Sequence, residues 1–201
     1  YYGMISLIDH NIGKIIEQLK KTNQYKNTLI IFLSDHGELL GDHRLLFKGP
    51  FHYDSLIRTP MLMSWGNKIT GGYRVKEITQ HTDIMPTILE LAGVSIPRGV
   101  QGSSLRRVLQ EGRSGYDFAL IEHVSENWGL KLKTIRSRDW RLTYYPDRPY
   151  GELYDLTSDK NEFVNLWNND DYQSIKHELI CSLMDKMIMT EDNLPPKEKR
   201  Y

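Results

Sequence analysis

The sequence predicts an α/β domain at residues 1–113 and a small α+β subdomain at residues 114–201. Apolar residues recur at helical spacing from Tyr1 to Lys21. An unbroken apolar run, Leu29 to Leu33, follows and is typical of a strand covered on both faces. Strand-forming segments are then clustered between residues 118 and 156, ahead of a last amphipathic helix. Together these patterns indicate a sheet with flanking helices and then a separate, mainly antiparallel unit.

The first part of the chain alternates helices, strands and loops. Its predicted elements are a helix at Tyr1–Lys21, strands at Thr28–Ser34, Pro60–Trp65 and Val75–Ile78, and helices at Thr82–Ala92 and Arg106–Gln110. Gly93 is placed to end the helix before it, because glycine adopts the left-handed conformation of a C-terminal cap. A linker at Glu111–Gly115 is predicted to separate the two parts.

The second part reads as an antiparallel sheet with one covering helix. Its predicted strands are Phe118–Val124, Leu130–Ser137, Trp140–Tyr145 and Gly151–Leu156. The short turn Ser137-Arg138-Asp139 predicts a hairpin between the middle two strands. The final helix, Asp171–Met189, has an apolar stripe that is predicted to pack on the sheet, formed by Ile175, Leu179, Ile180, Leu183, Met187 and Ile188.

Asp35 and His36 directly follow the first buried strand, and Gly37 then allows the chain to turn. In open α/β sheets, ligands bind beyond the carboxyl ends of such strands. Two consecutive side chains on a strand point to opposite faces, but at the end of a strand both can reach one ligand. On these residues alone, a metal site and a plain helix cap with a surface histidine are about equally supported.

The wider segment is more specific. Ser34-Asp35-His36-Gly37-Glu38, Gly41-Asp42-His43, Phe47-Lys48-Gly49-Pro50 and Arg58-Thr59-Pro60 occur in this order. They resemble the second half of the sulfatase family in the alkaline-phosphatase-like superfamily. Thr82-Asp83-Ile84-Met85-Pro86-Thr87 and Glu152-Leu153-Tyr154-Asp155-Leu156 resemble later motifs of that family. The resemblance covers nearly the whole chain.

This resemblance implies a metal site and a sulfate-binding lysine. Asp35 and His36 would bind a divalent cation, and Lys48 would bind the sulfate and stabilise its transition state. A carboxylate suits calcium or manganese, whereas an imidazole usually suits softer metals. The family favours calcium, and the histidine keeps manganese open. His52 lies beyond Lys48 in the same loop and is predicted to border the substrate pocket; the alternative is an ordinary polar loop residue.

The nucleophile expected of the family is not found in these residues. Sulfatases convert the first residue of a Cys/Ser-x-Pro-x-Arg motif to formylglycine. The single cysteine, Cys181, has neither the proline nor the arginine, and the arginine of Ser95-Ile96-Pro97-Arg98 comes one position early. We therefore expect the chain to be the C-terminal part of a longer enzyme, with formylglycine in the missing N-terminal part. The isolated chain is expected to be inactive.

The composition limits the kinds of partner that the chain is expected to bind. The 26 basic and 26 acidic residues balance, so no basic field favours nucleic acid or an anionic membrane. No apolar run approaches the roughly 20 residues of a membrane span. A sulfated small molecule or carbohydrate is the expected partner, together with the missing N-terminal part. The compartment stays open: the resemblance slightly favours the periplasm or secretion, and the cytoplasm is an alternative.

Two further functions remain open. A phosphodiesterase or phosphonate monoester hydrolase of the same superfamily would use similar groups, because sulfate and phosphate esters share a tetrahedral anionic geometry. A non-catalytic assembly or carbohydrate-binding module would explain the absent nucleophile. It would also use aromatic residues predicted to be exposed, namely Trp128, Tyr144, Tyr145 and Tyr150.

Overall fold

The computed structural model describes residues 1–66, 68–69, 71–72, 74–112, 116–125 and 129–191. These residues divide into two compact units that alternate along the chain. The first unit contains residues 1–35 and 59–74, and the second contains residues 36–58 and those from 75 onward. The two units follow contacts in space, and the boundary predicted after residue 113 stays a prediction. The predicted linker at Glu111–Gly115 lies partly outside the described residues.

The first unit consists of a long helix and a two-stranded antiparallel sheet. Its elements are α1 (Tyr2–Lys21), β1 (Ile30–Leu33) and β2 (Met61–Ser64). The register pairs Ile30 with Ser64 and Leu33 with Met61. The prediction of a strand covered on both faces is not met within the described residues, because Phe32 and Leu33 remain exposed. Among these residues β1 pairs with β2 alone, and an apolar run cannot specify how many neighbours a strand has.

The second unit is built on a four-stranded antiparallel sheet. Its strands follow one another in chain order: β3 (Ala119–Ser125), β4 (Leu130–Arg136), β5 (Trp140–Tyr144) and β6 (Gly151–Asp155). The hairpin predicted at Ser137-Arg138-Asp139 is confirmed, since Arg136 pairs with Arg141 across the turn. The helices of this unit are α2 (Asp54–Ile57), α3 (Ile84–Leu91), α4 (Arg106–Glu111) and α5 (Gln173–Met189).

The segment predicted as a strand at Val75–Ile78 has no strand structure. The polar side chain of the neighbouring Gln80 fixes the chain here: its amide oxygen accepts a hydrogen bond from the backbone N–H of Leu120 at 3.0 Å. Gly93 ends α3 with φ +75°, and its N–H donates to Glu90 O, as a C-terminal cap requires.

The core of the second unit lies between one face of the sheet and α5. Ile135, Leu142 and Leu153 of the sheet pack with Leu179 and Leu183 of the helix. The predicted apolar stripe of α5 is therefore correct in its first half. In the second half Met187 and Ile188 are exposed. No helix in the described ranges combines the length and hydropathy that a membrane span needs.

Candidate active site

The segment after Asp35 is held by a tight backbone contact at Gly37. The Gly37 N–H donates to the carbonyl oxygen of Leu56, at the second position from the end of α2, at 2.7 Å. A Cβ at this position would overlap the carbonyl oxygen of Ser55. Glycine is therefore required here because the two backbone segments approach too closely for a side chain. The turn predicted at Gly37 fixes the backbone next to His36.

The ring of His36 lies between a backbone carbonyl and the ammonium of Lys48. Its Nδ1 is 2.7 Å from Gly37 O, and its Nε2 is 2.8 Å from Lys48 Nζ. A carbonyl oxygen only accepts hydrogen bonds, so Nδ1 carries the proton. An ammonium only donates, so Nε2 offers its lone pair. Nε2, which here accepts from Lys48, is the atom that would bind a metal in place of that hydrogen bond.

Lys48 is exposed within the described chain. The adjacent Phe47 is exposed as well, at 78%. The described residues therefore do not enclose the Lys48 ammonium. The structure nevertheless brings Lys48 to His36, twelve positions earlier in the chain. This pair is the part of the predicted site that the second unit assembles.

Asp35 is the last residue of the first unit before the chain enters the second. It follows β1 by two positions, and the N–H of the intervening Ser34 donates to Pro60 O at 3.4 Å. Asp35 and His36 are consecutive and supply one carboxylate and one imidazole, which are suitable ligands for a divalent cation. In the part of the chain that the structure describes, no three His, Cys, Asp or Glu side chains are grouped to hold a metal. The donor types fit a cation, and the set is smaller than a complete coordination shell.

His52, the other predicted substrate-binding residue, is buried in the second unit with 5% exposure. Its Nδ1 is 2.7 Å from the hydroxyl oxygen of Thr134 on β4. Burial, assisted by the positive charge of Arg141 and by His123, lowers the pKa of His52 to about 3. The ring is therefore neutral at physiological pH. Direct contact of His52 with a substrate stays a prediction.

The lowered pKa of His52 predicts a loss of stability in acid. The unfolded chain binds a proton at His52 below about pH 6.5, whereas the folded chain does not until about pH 3. The free energy of unfolding therefore falls as the pH decreases through this window. At pH 5 the loss from His52 is about 2 kcal/mol, since each pKa unit corresponds to about 1.4 kcal/mol. Urea unfolding at pH 7 and pH 5, followed by circular dichroism, measures this difference.

The control for this prediction is the exposed His10 of α1. His52→Gln is expected to reduce the difference between the two pH values, whereas His10→Gln is expected to leave it unchanged. An equal pH dependence in the wild type and His52→Gln would show that His52 titrates alike in the folded and unfolded chains.

A buried charged centre, not predicted from the sequence, lies next to His52. Arg141 of β5 is fully buried and forms ion pairs with Glu162, through Nε, and with Glu152, through Nη1 at 2.9 Å. Its Nη1 also donates to Thr143 Oγ1 at 2.7 Å, and that hydroxyl is 2.7 Å from Thr134 Oγ1. Burial alone would lower the pKa of Arg141, but the two glutamates raise it above its ordinary value.

The aromatic residues around this centre are mostly tyrosines. Burial, followed by the negative charge of Glu152, raises the pKa of Tyr145, of Tyr154 and of Tyr53. The hydroxyl of Tyr145 donates to Glu152 Oε1 at 2.6 Å. The prediction that Tyr145 is exposed is therefore wrong, since this bond draws the ring inward to 5% exposure. Tyr144 and Tyr150 are exposed as predicted, and Trp128 lies outside the described residues.

The loop before Lys48 has an unusual backbone. Leu40, His43 and Arg44 have left-handed φ values between 50° and 61°, a conformation that costs non-glycine residues free energy. The ring of His43 stacks on Tyr53, with 3.7 Å between centroids and an angle of 11°. This stacking supports a role of His43 in stabilising the loop.

Comparison with known proteins places the chain in a family. A sequence model of the family described as N-sulphoglucosamine sulphohydrolase, C-terminal, matches residues 41–189. An N-acetylglucosamine-6-O-sulfatase of Bacteroides thetaiotaomicron is 30% identical over 99% of this chain. The chain spans 37% of the length of that relative. The family that the sequence motifs predicted is therefore confirmed.

Two solved structures show the same fold. One is the protein BT4656, solved in complex with its substrate D-glucosamine-2-N,6-O-disulfate. It has a TM-score of 0.87 and 28% identity to this chain, and the match covers 97% of this chain and 41% of that protein. The second is a phosphonate monoester hydrolase of Agrobacterium radiobacter, with a TM-score of 0.86 and 29% identity over 96% and 41% of the two chains. The predicted fold class is confirmed. The chain belongs to the sulfatase family of the alkaline-phosphatase-like superfamily, as a C-terminal portion of its fold.

Proposed function

We propose that this chain is part of an enzyme that hydrolyses sulfate esters, and that it supplies two metal ligands and the sulfate-binding lysine. One observation supports this proposal most strongly. The Lys48 ammonium lies 2.8 Å from Nε2 of His36, whose tautomer is fixed by Gly37 O. A cationic group and a ligand lone pair are thereby held together next to a carboxylate in the sequence, Asp35.

Asp35 and His36 are proposed to hold a divalent cation. When bound, the cation would polarise the sulfate oxygens as a Lewis acid. Asp35 offers a hard oxygen. His36 would offer Nε2, with its Nδ1 proton donated to Gly37 O, once the Lys48 ammonium that now donates to Nε2 turns to the ester oxygens. Calcium is the metal that the family favours, and the imidazole leaves manganese as the alternative.

Lys48 is proposed to bind the nonbridging oxygens of the ester. Charge on these oxygens increases as the S–O bond breaks, so a fixed ammonium stabilises the transition state more than the ground state. An exposed side chain is accessible to such an anion. His52, in the same loop, is proposed to border the substrate pocket, with its buried ring held by Thr134.

The nucleophile is proposed to come from outside these 201 residues, as formylglycine. Two observations support this. The sequence contains no Cys/Ser-x-Pro-x-Arg motif. The chain also spans only 37% of the length of its sulfatase relative and 41% of the matched structures. The N-terminal part of the same protein is therefore the expected partner, and the isolated chain is expected to be inactive.

The proposed substrate is a sulfated carbohydrate. One similar protein is an N-acetylglucosamine-6-O-sulfatase, and a similar structure holds a disulfated glucosamine as its substrate. The second candidate is hydrolysis of phosphonate monoesters, because a hydrolase of this type has an almost equal structural similarity. Sulfate and phosphonate esters both place anionic oxygens around a tetrahedral centre, so the same lysine could serve either reaction.

Paired substrates distinguish these functions. The full-length protein is assayed with an aryl sulfate, the matching aryl phosphate monoester and an aryl phosphonate monoester, each with calcium or manganese. We expect the highest kcat/KM for the sulfate ester. A higher value for the phosphonate would support the second candidate. If all three remain at the uncatalysed rate and a sulfated oligosaccharide still binds, the non-catalytic binding module is supported.

A further inference from the structure

The buried Arg141 centre reaches three consecutive residues of the loop that carries Lys48: Tyr53 and Asp54 directly, and His52 through Thr134. We define the Arg141 centre as Arg141, Thr143, Glu152 and Glu162, and the active-site loop as residues 36–54. One arm of the centre runs from Arg141 to Thr143, then to Thr134 and to His52 Nδ1, with 2.7 Å at each step. Each group along this arm can donate a hydrogen bond to the next, from the guanidinium of Arg141 to the imidazole of His52.

The second arm runs through Glu162. One carboxylate oxygen of Glu162 accepts from Arg141 Nε, and the other accepts from the backbone N–H of Asp54 at 2.7 Å. Glu162 is 3% exposed and has a left-handed backbone with φ +58°. Such a conformation is unfavourable for glutamate and persists only where the surrounding structure determines it. Glu162 thereby contacts Asp54, which lies 108 positions earlier in the chain.

Between the two arms, Tyr53 lies over the guanidinium. The Arg141 carbon Cζ is 5.2 Å from the centre of the Tyr53 ring, within the range of a cation–π contact. Asp54 receives a further paired interaction, because Arg136 donates to both of its carboxylate oxygens at 3.0 and 2.6 Å. His52, Tyr53 and Asp54 are thus fixed by directional bonds four to six positions after Lys48.

We propose that Arg141 and Glu162 are positioning residues that keep the active-site loop in the geometry in which Lys48 meets His36. This inference rests on the proposed function, since the geometry matters for turnover only if Lys48 and His36 act on the ester. Neither positioning residue touches His36 or Lys48 in the contacts that the structure shows. They act through the side chains of His52 and Tyr53 and through the backbone N–H of Asp54. A buried ion pair of this kind adds little net stability compared with apolar packing, whereas it fixes orientation well.

Glu152 provides a matched control within the same centre. It also forms an ion pair with Arg141, but its second carboxylate oxygen accepts from Tyr145 OH at 2.6 Å and not from the backbone of Asp54. Glu162→Gln and Glu152→Gln therefore remove the same charge from the same guanidinium. Only Glu162→Gln also weakens the hydrogen bond that the backbone N–H of Asp54 donates to residue 162. A role limited to stability predicts similar effects of both variants, whereas a positioning role predicts different ones.

The test uses the full-length protein, with kcat and KM for an aryl sulfate and amide hydrogen exchange of residues 36–54. We expect Glu162→Gln to lower kcat by about 10- to 100-fold, the scale for a misplacement of about 1 Å, with KM changed less than about threefold. Faster exchange in residues 36–54 is expected beside unchanged exchange in β4–β6. Glu152→Gln is expected to keep kcat within about threefold of the wild-type value. Residues 36–54 of this variant are expected to exchange as slowly as in the wild type. If Glu162→Gln does not fold, Thr134→Val interrupts the other arm and is expected to show the same pattern.

The outcomes separate this inference from the proposed function. Equal losses of kcat in Glu162→Gln and Glu152→Gln, or unchanged exchange of the loop in Glu162→Gln, would overturn the positioning role. Faster exchange of the loop with unchanged kcat would also overturn it. If the wild type has no activity on any ester, the proposed function fails, and hydrogen exchange alone still shows whether Glu162 rather than Glu152 holds the loop.

Discussion

We expect Asp35→Ala to abolish turnover of sulfate esters by the full-length protein. The proposed site has few protein ligands from this chain, so loss of the Asp35 carboxylate removes the hard donor that calcium requires. Without the cation, the oxygens of the ester lose their Lewis acid. The measurements are the rate on an aryl sulfate and the metal content of the purified protein, determined by mass spectrometry.

Asp117 provides the matched control for Asp35, because it is an exposed aspartate on the approach to β3. Asp117→Ala is expected to keep both the rate and the metal content of the wild type. A full rate and full metal content in Asp35→Ala would remove Asp35 from the site. Loss of the rate with metal fully retained would assign Asp35 a role other than ligation.

The second large effect is expected for Lys48→Ala. This variant should retain its metal and lose turnover by roughly two to three powers of ten, the scale for loss of one group that stabilises developing negative charge. The loss should fall on kcat more than on KM, because the ammonium is proposed to interact most strongly with the transition state. Steady-state kinetics with metal analysis of the same samples tests both statements.

Lys160 is the control for this experiment, since it is another exposed lysine of the second unit. Lys160→Ala should match the wild type. An unchanged rate in Lys48→Ala would make Lys48 an ordinary surface lysine. A large increase in KM with an unchanged kcat would show that Lys48 binds the substrate without favouring its transition state.

Much of the second unit could be predicted from local sequence. The four strands of its sheet begin and end within one or two residues of the prediction, because turn residues such as Ser137 and Asp139 separate apolar segments clearly. Gly93 marked the end of α3 through its preference for positive φ. The pairing of Lys48 with His36 could be anticipated only through the family resemblance, since nothing in the local sequence indicates that residues 36 and 48 meet.

The environment of single elements was harder to predict. The apolar run of β1 indicated burial on both faces. Hydrophobic side chains favour burial, but they do not show which neighbours are present to cover them. Phe32 and Leu33 are exposed here. The end of α5 has the same explanation, since Met187 and Ile188 continue the apolar stripe beyond the packed turns. Val75–Ile78 resembled a strand, but a strand requires a partner, and the side chain of Gln80 bonds β3 instead.

The Arg141 centre could not be found by reading neighbouring residues, because its bonds join positions up to 108 apart. Arginine in a strand usually reads as a solvent-facing residue. One signal was present in the sequence. Thr134 on β4 and Arg141 and Thr143 on β5 alternate with core residues such as Ile135 and Leu142. Such alternation marks the second face of the sheet, and the loop at residues 52–54 covers that face with polar contacts.

The most direct test of the central claim is anomalous diffraction from crystals of the full-length protein grown with manganese. We expect one manganese ion bound by a carboxylate oxygen of Asp35 and by Nε2 of His36, at about 2.0 to 2.6 Å. In the same crystals with a sulfate ester analogue, Lys48 Nζ should lie within hydrogen-bond distance of a sulfate oxygen. A cation bound without Asp35 and His36, or a sulfate group bound far from Lys48, would contradict the account.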